Sequence, residues 1–228
     1  MNQRSTNGIV LTRVDYGEAD RIITVLTPDT GKLTLIAKGV RRINSKLAGG
    51  VELFSTSELT YVQGRSSIGT LVSARLVRHH AHIVTDIERT MAGYELIKLL
   101  HAVTEDEAET GYFDLLENTF GALDKDVSTE LIRTWFNAQL LKLAGHTPNL
   151  VSSAAGKQLS AGERYQFDLD TVACSPSPNG EIGVDDIKYM RLLFANHRPE
   201  VLWAVRGDYN LGVISPLVLT LRQLHIGR

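Results

Sequence analysis

The sequence predicts an α+β protein: a small closed five-stranded barrel, then a mainly α-helical domain carrying one irregular insertion. Three observations carry this. Five short apolar runs separated by turn residues fill the first eighty positions. After His82 the apolar period lengthens from two to between three and four. Residues 149–183 then lose periodicity among Ser, Ala, Gly and Pro. The expected division is therefore 1–80 for the barrel and 81–228 for the helical domain, with 149–183 as the insertion.

Strand one begins at Ile9-Val10-Leu11 and ends near Tyr16-Gly17. Ile22 to Leu26 and Leu33 to Ala37 form a hairpin around Pro28 to Gly31, where Pro presets φ and Gly tolerates a positive one. Phe54 to Val62 and Thr70 to Arg78 follow, joined by a turn at Gly64 to Ser67. In the last strand Val72, Ala74 and Leu76 alternate with Ser73 and Arg75, the pattern of one buried face. Five such strands suit an OB-fold, whose closure removes exposed sheet edges.

Thr85 and Glu88 have capping-box spacing, and Ile87, Met91, Tyr94 and Ile97 behind them read as the inward face of a helix. Phe113, Leu116, Phe120 and Leu123 make a second stripe. Ser128 caps a third helix, with Ile132, Trp135, Phe136, Leu140 and Leu143 inward and Gly145 and Pro148 ending it. The insertion shows one weak strand, Tyr165 to Leu169. Helical pattern returns at Asp185 to Ala195, after Pro199, and after Ser215-Pro216, read as an N-cap with proline at the first helical position.

Composition bounds the function. Hydrophobic residues are 43% and charged residues 22%, as in an ordinary globular chain. No apolar run nears the roughly 18 residues a membrane span needs. The polar start and the single cysteine, Cys174, suggest a cytoplasmic protein without disulfides. The net charge of −2 conceals an asymmetry. Residues 1–80 hold 11 Lys and Arg against 6 Asp and Glu, and residues 81–228 hold 13 against 20. A basic front and an acidic back point to different partners.

The front excess concentrates in one loop. Lys38, Arg41, Arg42 and Lys46 fall within nine residues that contain no carboxylate. Such a run offers a polyanion several contacts, and arginine forks match phosphate geometry. Tyr16 and Tyr61 are candidates for stacking on bases, against the plainer reading of packed tyrosines.

Signals for catalysis are poor: the sequence has no Walker loop, GxGxxG or GxSxG. His79, His80 and His82 cluster, and on a strand His80 and His82 would share a face, but only Asp86 and Glu88 lie near them in sequence, so a structural or solvent-exposed role is expected rather than a metal site. Asp15, Glu18 and Asp20 read as turn caps paired with Arg13 or Arg21. Two alternatives stay open from the residues alone: an RNA-binding OB protein, and a metal-dependent nuclease using those three carboxylates.

Val10-Leu11, Tyr16-Gly17-Glu18-Ala19-Asp20-Arg21, Thr27-Pro28, Gly31-Lys32, Ala37-Lys38-Gly39, Arg41-Arg42 and Ser45-Lys46 together resemble the front domain of the bacterial recombination mediator family RecO. The resemblance continues through Leu71 to Arg78, Tyr94-Glu95-Leu96 and Leu143-Ala144-Gly145 with Pro148, and weakens after residue 150. It implies an OB-fold, a helical domain and no catalytic activity. It also implies a nucleoid-associated protein of the RecF pathway that binds single- and double-stranded DNA and anneals complementary strands. Its partners would be RecR and the single-stranded DNA-binding protein, and it would help load the RecA recombinase. Carried onto this chain, the DNA contacts would be Lys38, Arg41, Arg42 and Lys46, with Arg13 and Lys32 as additions.

For the acidic, apolar-ended tail of the single-stranded DNA-binding protein, the candidates are Lys188, Arg191, Arg198 and Arg206. They are interleaved with Met190, Leu193, Phe194, Leu202 and Trp203 as a groove lining. In one respect the chain departs from the family. Many relatives carry two CxxC pairs as a zinc site, whereas Leu150 to Gly156 has no cysteine and the second pair survives only as Cys174 with Ser177. One thiolate cannot build a tetrahedral zinc site, so neither a metal nor another cofactor is expected.

Overall fold

The computed structural model describes residues 3–64, 66–104, 111–160 and 162–227. The chain divides into two compact units, Met1–Lys125 and Asp126–Arg228.

The first unit is built on a closed barrel of β1 (Gln3–Tyr16), β2 (Asp20–Thr27), β3 (Gly31–Ala37), β4 (Ser55–Val62) and β5 (Ile68–His79), in the order β1-β2-β3-β5-β4. All pairings are antiparallel except β3 with β5, the arrangement of an OB-fold. Val10, Ile23, Val25, Leu35, Ala37, Leu59, Tyr61 and Leu71 fill the interior. The expected alternation of β5 does not hold. Val72 and Val77 are extra residues opposite β4, at two bulges. Leu71 is thereby turned inward, while Val72 and Leu76 are exposed.

Two helices complete this unit, α1 (Ile87–Val103) and α2 (Tyr112–Leu123). Asp86, not Thr85, caps α1, its carboxylate accepting from the Arg89 N–H at 2.9 Å. The buried face of α1 is also not the one expected: Ala92, Gly93, Leu96, Ile97 and Leu100 are buried, whereas Ile87, Met91 and Tyr94 are exposed. The reason is a close approach. A Cβ on Gly93 would lie 2.5 Å from the Phe54 ring, so only glycine lets this face pack there. Phe54 holds a positive φ of 58°, a strained conformation fixed by edge contacts of its ring with Tyr94 and Phe120 at centroid distances of 5.2 and 5.5 Å. The α2 stripe of Phe113, Leu116, Phe120 and Leu123 is buried as expected.

In the second unit, α3 (Thr129–Leu143), α4 (Val184–Phe194), α5 (Pro199–Trp203) and α6 (Leu211–His225) bury Ile132, Trp135, Phe136, Leu140, Met190, Leu193 and Val218. Leu143, expected inward, is exposed. Ser128 caps α3 as expected, and Gly145 follows it at φ 82°. α6 starts earlier than the Ser-Pro pair suggested: Asn210 is its cap, and Pro216 lies inside the helix. Buried Asp186 explains the early start. Its carboxylate accepts from Gly183 N–H at the head of α4 (2.7 Å) and from Asn210 N–H at the head of α6 (2.6 Å). The insertion forms a two-stranded ribbon, β6 (Tyr165–Asp168) with β7 (Ala173–Pro176). Too short to show a period, β7 escapes a sequence reading.

Candidate nucleic-acid interface

The loop after β3 owes its shape to one buried side chain. Val40 enters the barrel core, which leaves Lys38, Arg41, Arg42 and Lys46 exposed around it, with Ile43 fully exposed at the tip. Leu47, packed against the same core, closes the loop at its far end. Gly39 at φ 64° makes the reversal and donates its N–H to the Asp20 carboxylate at 2.7 Å. The Arg42 side chain lies across Gly39, its Cδ and Nε 3.6 Å from where a Cβ would stand. Arg41 N–H donates to Ala19 O at 2.9 Å, which ties the loop to the turn joining β1 and β2. The cationic loop and the tip of the β1–β2 hairpin thus form one held surface.

The charges within it are not equivalent. Asp15 sits between two arginines, accepting from Arg21 Nε at 2.8 Å and facing Arg41 Nε at 3.4 Å. The hydrogen bond from Arg21 holds its carboxyl below the usual range; desolvation opposes this, and the charges of Arg41, Arg21 and Arg13 add to the lowering. Arg13 is paired with Glu52 at 2.5 Å. Among the described residues, Lys38, Arg42 and Lys46 have no ion pair. Lys32 stands apart at the other end of β3, about 20 Å along the strand at roughly 3.3 Å per residue. Its ammonium donates to His101 O (3.0 Å) and Thr104 O (2.5 Å) at the end of α1.

Of the two tyrosines, Tyr16 is exposed at the hairpin tip, whereas Tyr61 lies in the barrel interior and has no face for a base. The three front carboxylates do not converge as a metal site would need. Asp15 is held by arginines, and Asp20 by the loop backbone. Among the described residues no group of three or more His, Cys, Asp or Glu side chains is placed to hold a metal ion.

His80 and His82 share Asp124, at 3.8 and 3.5 Å. They do so across a 3₁₀ turn beyond β5, not on one strand face. His80 is buried against the Phe120 ring. Burial pushes its pKa down, Asp124 partly opposes this, and Arg78 and His79 add to the lowering.

The second-unit cations are dispersed. Lys188 pairs with Asp185 at 2.8 Å, and Arg191 donates twice to Leu150 O, at 2.8 and 2.6 Å. Arg206 donates to Trp203 O at 3.2 Å, while Arg198 is exposed at the head of α5. Met190, Leu193, Phe194 and Leu202 are buried in the unit's core rather than lining an open groove, and Trp203 is exposed. The same spacing that suggests a groove in sequence is that of packed helices. Cys174 is buried, and desolvation pushes its thiol up to about 11, with Arg191 opposing. At neutral pH it stays protonated.

What sequence reasoning missed here is the pair of latches, Asp20 on Gly39 and Asp15 on Arg41. Their only sequence signal is the acidic turn itself.

The family model described as Recombination protein O N terminal matches residues 1–80, and Recombination protein O C terminal matches residues 84–202. The DNA repair protein RecO of Dehalococcoides mccartyi (strain CBDB1) is 31% identical over 224 residues, covering 95% of this chain and 87% of that protein. The DNA repair protein RecO of Roseiflexus sp. (strain RS-1) is 36% identical over 151 residues, 66% of this chain and 53% of its own length. That of Rubrobacter xylanophilus is 32% identical over 163 residues, 71% and 65% respectively. No helix among the described residues is long and apolar enough to cross a membrane.

Proposed function

Because this chain belongs to the RecO family of DNA repair proteins, we propose that it is a recombination mediator whose barrel binds DNA through the loop after β3. It binds single and double strands, anneals complementary strands, and assists loading of the RecA recombinase at gaps. RecR and the single-stranded DNA-binding protein are its partners, and the bacterial cytoplasm, at the nucleoid, is its place of action. It works by binding and not by catalysis.

The observation that carries this reading is the loop: three cations without an ion pair among the described residues, on a scaffold pinned by Val40 and by Asp20. A held loop gives up less conformational freedom on binding than a free one would. Phosphates reached by Lys38, Arg42 and Lys46 position a strand without reading its sequence, as a general mediator requires.

The test is annealing of complementary strands coated with single-stranded DNA-binding protein, with and without RecR. Arg41→Ala/Arg42→Ala should weaken DNA binding about equally across sequences. Its salt slope on single strands should fall by roughly 0.7 for each phosphate that the variant no longer neutralises. An unchanged slope removes this loop from the site.

A further inference from the structure

We infer that the chain associates head to tail: the tip of the basic loop after β3 docks on the uncovered apolar stripe at the start of α1 in a second copy.

The helix supplies one half of the contact. Ile87, Met91 and Tyr94 follow one another on α1 at spacings of four and three, which places them on one face. That face is turned away from the core, and the three are 84%, 63% and 48% exposed. Val84, in the turn just before the helix, adds a fourth exposed apolar side chain. Exposed apolar residues scattered singly need no explanation, but a run of four in eleven positions does.

The edge of this stripe is acidic. Glu88 and Glu95, seven residues apart, are exposed along one side of it. Asp86 caps the helix, so a carboxylate already meets the positive end of its dipole. Lys98 stands a turn beyond Tyr94, past the acidic part.

The loop supplies the other half. Ile43 is fully exposed at its tip, with Arg41 and Arg42 before it and Lys46 after. A large apolar side chain carried among cations is the complement of an apolar stripe edged by carboxylates.

Charge decides the occupant. The carboxylates repel nucleic acid and acidic segments, and they attract an apolar side chain flanked by cations. The chain itself displays such a segment. Ile43 and the stripe are both open in the folded chain, so within one molecule they do not meet. The two surfaces differ, so the contact is heterologous, and copies join in rows rather than closed pairs. One loop tip on one helix face is smaller than a standard interface, so the association is transient, micromolar or weaker, and salt-sensitive. DNA and a second copy then compete for the loop. That competition rests on the loop being the DNA site, whereas the association does not.

Sedimentation velocity of the full chain tests this. The wild-type coefficient should rise with concentration at about 50 mM salt, and rise less at about 500 mM. Ile43→Ser and Ile87→Ser/Met91→Ser change only exposed side chains, and each variant alone should associate about tenfold more weakly. Mixed in equal amounts, with one of them fluorescently labelled, they should form a pair and stop there. Each carries the surface that the other lacks. The inference is overturned by a wild type still monomeric at about 1 mM, by variants that associate as the wild type does, or by a mixture that stays monomeric. Loss in the helix variant alone also overturns it, since that would mark a symmetric contact or another partner. Oligothymidine should dissolve the wild-type rows, and rows that persist in its presence overturn the competition. DNA titration of Arg41→Ala/Arg42→Ala is run in parallel. Unchanged DNA binding there fails the loop reading, whatever the sedimentation shows.

Discussion

Lys32 closes the end of α1: its ammonium donates to Thr104 O at 2.5 Å and to His101 O at 3.0 Å, where a helix leaves its last carbonyls unpaired and its dipole negative. A cation read in sequence as a phosphate contact thus joins the start of β3 to the end of a helix some seventy residues later. Lys32→Ala should lower the stability of the protein by about 1–2 kcal/mol, the loss of charged hydrogen bonds at a partly exposed site. Its DNA affinity should stay within about twofold of wild type. Urea unfolding read beside DNA titration checks this, and a large affinity loss at unchanged stability would return Lys32 to the interface.

Asp15 competes with phosphate for Arg41. Its carboxylate lies between Arg21 and Arg41 and is ionised throughout the neutral range, since its pKa is lowered. Asp15→Asn keeps the shape and removes the charge, so DNA binding should tighten several-fold at low salt. The salt slope should steepen by roughly 0.7 if Arg41 gains one phosphate on a single strand, and the gain should fade as salt rises. Titrations at several ionic strengths decide it. Weaker binding would mean that Asp15 positions Arg41 rather than occupying it.

Buried His80 makes the protein sensitive to mild acid. Its Nε2 is buried without a hydrogen-bond partner among the described residues, and burial holds its pKa below the ordinary value near 6.5. Between its folded pKa and about 6.5, the unfolded chain binds more protons than the folded one. Stability therefore rises with pH in that window, and is lost as pH falls through it. Urea midpoints from pH 8 down to pH 5 should drop most below about pH 6.5. His80→Phe should flatten that drop, and an identical pH profile in the variant would assign the acid sensitivity elsewhere.

Metal should be dispensable. The resemblance implies two CxxC pairs, but Leu150 to Gly156 has no cysteine and the second pair survives only as Cys174 with Ser177, the one thiol being buried and protonated. The segment is held instead by Arg191 on Leu150 O, by Ala154 N–H on Cys174 O at 3.3 Å, and by the Tyr165 hydroxyl, which accepts from Ser160 N–H at 2.8 Å. Protein purified without added metal should hold no stoichiometric zinc, and a chelator should leave its melting temperature unchanged. One tightly held equivalent would show another donor set.

The five strands, the change to helix, the capped start of α3 and the basic loop are all legible in the residue order. Each of these is written in neighbouring residues, as a period, a turn pair or a charge run. Long-range packing settled which faces of α1 and β5 are buried. Ile87, Met91 and Tyr94 make the stronger apolar stripe, yet α1 turns Ala92 and Gly93 inward because the Phe54 ring leaves room for no side chain. It also decided which cations are engaged. Lys32 and Lys38 look alike in sequence, but a helix end claims the first and, among the described residues, nothing charged claims the second. Local propensity and period act over a few residues. Burial, ion pairing and register are set by partners far along the chain, and those are chosen only when the chain closes on itself.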